Sequence, residues 1–238
     1  MARHGVAPFR FKHFGLTQAD GVMRISTDAV LLGAWARVTS VRTLDVGTGT
    51  GILPLMLAQR GATCIDAIDI ETQAVALATQ NVATSPWAHH IAVHHCAFQS
   101  WAPDHPGHYG HIISNPPYFQ HALQPPDPAR AVAKHTVLLP HSDLLTSSLT
   151  CLAAQGYISV ILPAAEGAHI IAQAEEMGLH LNRILRVAAR PGGAIRRVLC
   201  EFGTTPGLHD EQEMCLHNHS GHPTDAYKQL TRDFYLAF

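Results

Sequence analysis

Apolar and polar positions along the chain switch repeatedly between two periods. Short apolar runs, the mark of strands buried on both faces, alternate with stretches whose apolar residues recur every three or four positions, as on amphipathic helices. VRTLDVG (41–47) predicts a buried strand ending on Asp-x-Gly. TGILPLMLAQR (50–60) predicts a helix with Pro54 in its first turn, where the missing N–H does little harm. TCIDAIDI (63–70) predicts a second strand, and ETQAVALATQNVAT (71–84) a helix stopped near Ser85-Pro86. IAVHHCAF (91–98) and GHIISN (110–115) predict a third and a fourth strand. HSDLLTSSLTCLAAQG (141–156) predicts a helix capped by Ser142 or Asp143, striped by Leu144, Leu145, Leu149 and Leu152, and closed at Gly156. YISVILP (157–163) predicts a fifth strand, followed by a helix near 165–177 that Gly178 ends. Strands near 179–187 and 195–202, a loop over 203–223 and a helix near 224–236 complete the pattern.

Strands alternating with helices imply an α/β fold, a single doubly wound and mostly parallel sheet with helices on both faces. Ligands of such sheets bind beyond the carboxyl ends of the strands. One domain over 1–238 is expected, with residues 1–40 as an N-terminal extension packed on it. Composition agrees with a packed core, since 47% of the 238 residues are apolar. No uninterrupted apolar stretch reaches membrane-spanning length, and MARHGVAPFRFKHF lacks the apolar centre of a signal peptide. Cys64, Cys96, Cys151, Cys200 and Cys215 are scattered with no C-x-x-C, so neither a disulfide framework nor a zinc site is indicated. Together these features point to a soluble cytoplasmic protein. Among 18 histidines, none sits in H-x-x-x-H spacing beside a glutamate, and no metal is expected.

A net charge of −2 hides an uneven distribution. Residues 1–42 carry Arg3, Arg10, Lys12, Arg24, Arg37 and Arg42 against Asp20 and Asp28. Residues 183–197 carry Arg183, Arg186, Arg190, Arg196 and Arg197 with no acid, whereas 43–110 carry five acids and only Arg60. Two basic segments flanking an acidic middle make either a phosphate-binding face or ordinary solvated surface.

Two motifs carry chemistry. LDVGTGTGIL (44–53) sets Gly47, Gly49 and Gly51 between a strand and a helix, where small residues let backbone N–H groups approach a ligand. Asp45 puts a carboxylate into the same crevice; it would repel a pyrophosphate but suits an ammonium group or ribose hydroxyls. Asp69, 18 residues beyond Gly51, can accept both hydroxyls of a ribose, with Glu71 as the alternative. A nicotinamide site is the competing ligand, but the last two glycines are spaced G-x-G rather than G-x-x-G. The second motif is ISNPPYF (113–119). Tandem prolines cannot continue a helix or pair inside a sheet, so they hold a rigid corner with free carbonyls.

The D-x-G-x-G-x-G run with its downstream acid resembles the first two motifs of class I S-adenosylmethionine-dependent methyltransferases. With N-P-P-Y about 65 residues later, the order is similar to that of the amino-methyltransferases acting on exocyclic or amide nitrogens. The resemblance implies a Rossmann-like seven-stranded sheet and S-adenosylmethionine as cofactor. It implies that the Asn115 side-chain oxygen and the Pro116 carbonyl accept from the target amine and that Tyr118 stacks on the base. FKHFGLTQADGVMRISTDAVLLGAWA (11–36), QNVATSPWA (80–88), IISNPPYF (112–119), RRVLCEF (196–202) and AYKQLTRDFYL (226–236) narrow it further. They resemble the bacterial tRNA methyltransferases that make N6-methyladenosine at position 37 of a valine tRNA. By that resemblance Thr27 and Asp28 meet the methionine end of the cofactor and Phe98 packs on its adenine. Pro117, Phe119, Lys134, His135, Arg196 and Arg197 face the tRNA anticodon loop; no DNA, membrane or obligate protein partner is implied. One departure stands out. Relatives usually carry an acid for the adenine amino group after the third strand, where this chain has Ala97. Enzymes for ribosomal guanine N2 or for a protein glutamine amide share N-P-P-Y, but the former tend to be longer. The latter carry a helical domain before the glycine loop, and only 44 residues precede Asp45. A cofactor-sensing or RNA-binding module without turnover would have no need of paired acceptors.

Overall fold

The structure, a computed structural model, describes residues 8–117 and 139–238. A short antiparallel pair, β1 (Phe9–Arg10) and β2 (Gly15–Leu16), leads into helix α1 (Thr27–Trp35). Ser26 caps that helix by accepting from Ala29 N at 3.2 Å. Then come β3 (Thr43–Val46), α2 (Ile52–Gln59), β4 (Ile65–Asp69), α3 (Thr72–Ala83), β5 (Ile91–His95), α4 (Phe98–Trp101) and β6 (Tyr109–Ser114). After the undescribed stretch follow α5 (His141–Cys151), β7 (Leu152–Pro163), α6 (Ala164–Glu176), β8 (His180–Ala188), β9 (Ile195–Gly203), β10 (Asp210–Cys215) and α7 (Asp225–Thr231).

The main sheet runs β10-β8-β9-β7-β6-β3-β4-β5. From β7 to β5 every pairing is parallel, and β9 enters antiparallel to both β7 and β8. Every residue of β3 and β4 is buried, as both faces are covered by helices. Successive strand residues feed opposite faces: Ile112 and Val160 join one apolar cluster, Ile113 and Ile161 the other. Helix α1 contributes Val30, Leu31 and Leu32 to the second cluster, all with no exposed surface, so this part of the N-terminal segment lies within the core.

The sheet has eight strands rather than seven. The eighth, β10, lies in the stretch that reads as a loop, and its sequence DEQEMC lacks an apolar alternation. It is an edge strand, parallel to β8, held partly by ion pairs to that neighbour: Arg183 with Asp210 and Arg186 with Glu211, the latter at 2.7 Å. The helix expected over 141–156 also ends early, at Cys151. Residues 152–156 join β7 instead, because Leu152 pairs with Tyr109 and Gln155 takes a left-handed φ of 73° that breaks a helix. Pairing across the sheet outweighs the local helix preference of LAAQ.

Candidate active site

Four parallel strands, β3, β4, β5 and β6, end side by side, and their last residues set the site. Val46 faces Ser114 across the β3–β6 pairing, so the next residues, Gly47 and Asn115, leave the sheet as neighbours. The Ser114 hydroxyl donates to Val46 O at 2.8 Å and ties the two ends together. Asp69 faces His95, and Cys96 N donates to Asp69 O at 3.0 Å. Beyond these ends lies a cavity of about 310 Å³, whose wall includes Gly47, Gly49, Asp69, Phe98, Asn115, Pro116 and Pro117. That volume is of the size that encloses a small organic ligand.

The glycine loop is built for a ligand to approach. Gly47 and Gly49 hold φ of 74° and 55°, a left-handed backbone that strains other residues, and a Cβ built on either would meet nothing within 4 Å. Gly47 and Thr48 donate to Ile68 O, while Gly49 donates to Asp69 Oδ2 at 2.8 Å. The other oxygen of Asp69 accepts from Glu71 N at 2.9 Å. Asp69 thus braces the loop it faces while each oxygen keeps a lone pair for a hydroxyl.

Asp45 lies beneath the loop with no exposed surface and is not on the cavity wall. Among the described residues neither of its oxygens has a partner at hydrogen-bond geometry, although the nearby Thr48 hydroxyl draws its pKa down. Burial outweighs that pull and, with the charge of Asp69 adding, pushes the carboxyl up to about 7. Open space over two glycines, a braced carboxylate on the wall and a buried carboxylate lacking a partner fit a cofactor with ribose hydroxyls and an ammonium group.

Asn115 is half-buried on the wall, Pro116 is buried and Pro117 half-buried. The prolines lack the N–H that would extend the ladder, which is why β6 stops at Ser114. Tyr118, Phe119, Lys134 and His135 lie outside the described residues.

Other sequence-predicted residues do not join the wall. Thr27 is exposed at the first turn of α1. Asp28 accepts from Arg197 Nε at 2.7 Å, so an expected cofactor contact and an expected RNA contact pair with each other. Gly51 packs under the loop, where a Cβ would come 3.4 Å from Ala78. Arg196 is exposed. The basic stretch 183–197 is largely matched by acids: Arg183 meets Glu201 and Asp210, Arg186 meets Glu211, and Arg197 meets Asp28. Its charge is consumed in joining sheet edge and helix, which leaves much less of a phosphate-binding face than the residue count implies.

The resemblance puts STDAVLLGAW (26–35) at the methionine end of the cofactor, and Ser26 and Ala29 of that stretch line the cavity; sequence reasoning missed the preceding segment, Gly21 to Ile25, which lines it too. Its only signal is the Asp20-Gly21 turn, where Gly21 takes φ of 89°. It also missed Gln99, which lines the cavity beside Ala97 and donates from Nε2 to Asp143 Oδ2 at 3.2 Å.

Residues 25–169 match the methyltransferase small domain family. The chain is 38% identical over 231 residues to the tRNA1(Val) (adenine(37)-N6)-methyltransferase of Salmonella arizonae, covering 96% of this chain and 94% of that one. It is 39% identical over 230 residues to the protein of the same name from Vibrio campbellii, covering 96% and 95%. Among solved structures, a predicted O-methyltransferase from Agrobacterium tumefaciens superposes with a TM-score of 0.69 at 19% identity, over 87% of this chain and 96% of that one, a likeness of fold. The chain therefore belongs to the methyltransferase small domain family and, with these relatives, to the tRNA1(Val) (adenine(37)-N6)-methyltransferases.

Proposed function

We propose that this chain transfers a methyl group from S-adenosylmethionine to the N6 amine of adenine 37 in a valine tRNA, the reaction for which its relatives are named. The observation that carries the reading is the juxtaposition of Asn115-Pro116 with Gly47, fixed by the Val46–Ser114 pairing. When bound, the cofactor supplies a sulfonium methyl carbon as electrophile. Gly47, Gly49 and Asp69 hold its nucleoside end, Asp45 offsets its ammonium charge from beneath the loop, and Phe98 packs on its adenine.

An aromatic amine is a poor nucleophile because its lone pair is delocalised into the ring. The Asn115 side-chain oxygen and the Pro116 carbonyl accept from its two N–H bonds, which turns the nitrogen towards tetrahedral and localises the pair. Were that pair to bond the methyl carbon while the carbon–sulfur bond breaks and its electrons return to sulfur, a neutral thioether would leave and positive charge would grow on nitrogen. Fixed carbonyl dipoles stabilise this state more than the ground state. No side-chain base is required, since the extra proton leaves to solvent afterwards. Alignment of the reacting atoms supplies about 7 kcal/mol or more of the barrier reduction, on the general scale of proximity effects.

Tyr118 stacks on the target base, and Pro117, Phe119, Lys134, His135, Arg196 and Arg197 contact the anticodon loop. A loop adenine is partly unstacked already, so bringing it into the site costs only about a few kcal/mol. The chain acts as one domain, in the cytoplasm, and needs no protein partner. No helix of the described residues is long and apolar enough to cross a membrane. The test is mass spectrometry of tRNA nucleosides after incubation with labelled S-adenosylmethionine, for the chain and for Asn115→Ala. N6-methyladenosine is expected from the first, with cofactor binding kept and turnover largely lost in the second. Methylguanosine, label on protein, or near-normal methylation by the variant overturns the reading.

A further inference from the structure

The wall formed by Gly21 to Ser26 has no strand or helix of its own, yet it closes one side of the cofactor cavity. The chain entering it is tied down by one buried amide on α3. Asn81, 1% exposed, accepts from Thr17 N at 2.9 Å and donates back to Thr17 O at 3.1 Å. Its second Nδ2 hydrogen goes to Thr50 O at 2.9 Å, inside the glycine loop. One side chain therefore joins the start of the wall segment to the loop across from it. Further on, Gln18 accepts from Ile25 N at 3.2 Å and folds the segment into a closed turn, and Val22 packs on Ala74 and Leu77 of α3.

We propose that Asn81 is a positioning residue for the cofactor: it clasps segment 17–26 to the glycine loop and so sets the shape of the cavity between them. The hydrogen-bond pattern calls for a carboxamide. The Thr17 peptide offers one donor and one acceptor, Thr50 offers a further acceptor, and only a carboxamide matches all three. An aspartate would keep the Thr17 N–H but lose both donations and set a carboxylate against two carbonyl oxygens. Asn81 stands outside the acceptor corner, which hangs on β6 and the Ser114–Val46 tie. Its loss thus acts on cofactor binding and leaves the methyl-transfer geometry in place. The inference rests on the cofactor reading above.

Calorimetric titration of S-adenosylmethionine and steady-state kinetics separate the possibilities, for the chain, Asn81→Asp, Asn81→Ser and Gln18→Ala. For the Asn81 variants, Kd and KM for the cofactor are expected to rise about tenfold or more, with kcat at saturation within about threefold and KM for tRNA unchanged. Gln18→Ala lies on the half-exposed segment, leaves the core untouched and should raise Kd in the same direction by a smaller factor. Hydrogen exchange without cofactor should show faster loss of protection at the Thr17 and Ile25 amides in Asn81→Ser, whose shorter side chain keeps none of the three bonds. A fall in kcat or melting temperature with unchanged cofactor Kd would reduce Asn81 to a structural role. No effect of Gln18→Ala would remove the wall segment from the account. If the unaltered chain binds no S-adenosylmethionine at all, the cofactor reading has failed rather than this inference.

Discussion

Replacing Asp45 by Asn tests the electrostatics beneath the glycine loop. The carboxyl has no exposed surface, and burial lifts its pKa from 3.8 to about 7. The folded chain without cofactor therefore holds this proton more tightly than the unfolded chain does. The stability that Asp45 contributes is complete below about pH 4 and is lost as pH rises towards 7. At about 1.4 kcal/mol for each pH unit, the loss comes to about 4 kcal/mol. The carboxamide has the same shape and no charge, so Asn should remove this limb and leave the cofactor-free protein more stable at pH 8 than the parent by up to that amount. Urea unfolding at pH 5 and pH 8, with and without S-adenosylmethionine, is the assay. A cationic ligand favours the ionised carboxylate, so cofactor affinity of the parent should climb as pH passes 7, and the variant should bind more weakly with no such climb. Parent-minus-variant differences cancel His111, whose contribution runs the other way. Identical pH profiles for the two proteins, or a variant less stable than the parent at pH 8, would refute the reasoning.

His111 is buried between Ser159, 3.1 Å from its Nε2, and the Tyr157 ring, and burial lowers its pKa from 6.5 to about 3, the charges of Arg37 and Arg60 adding to the effect. Its contribution is present above pH 6.5 and is lost as pH falls towards 3, by up to about 5 kcal/mol; His111→Gln should flatten this acid limb in urea midpoints, and an unchanged slope would count against it. Gly49→Ala forces a side chain into φ of 55° and into the cavity. A loss of about 1–2 kcal/mol of stability is expected, with a larger loss of cofactor affinity, and titration at normal affinity would contradict the cradle. Arg196→Ala should lower the slope of log binding constant against log salt for tRNA by about 1. Arg197→Ala should change it less, because Asp28 already matches that charge; equal slopes for the Arg196 variant and the parent would remove Arg196 from the RNA face.

The two motifs were legible because each is local. A glycine loop between strand and helix needs residues free to take positive φ, and a proline corner needs residues without an N–H; both requirements are written in consecutive letters. Their meeting was legible too, because parallel strands put all their carboxyl ends on one side. The partner of Asp28 was not, because a helix written as one string has faces that only packing assigns, and the fold turns Asp28 to Arg197, 169 positions away.

Sequence alone therefore determined the parallel α/β class, the position of the glycine loop and the proline corner that ends β6. It did so because period, backbone freedom and missing donors act over a few residues. Tertiary structure alone decided that polar DEQEMC is an eighth strand, that Leu152 begins a strand, that most arginines of 183–197 are matched by acids, and that Asn81 holds a wall of the cavity. Each of these depends on a partner distant along the chain, and the energy of such a pairing exists only once folding has brought the two together.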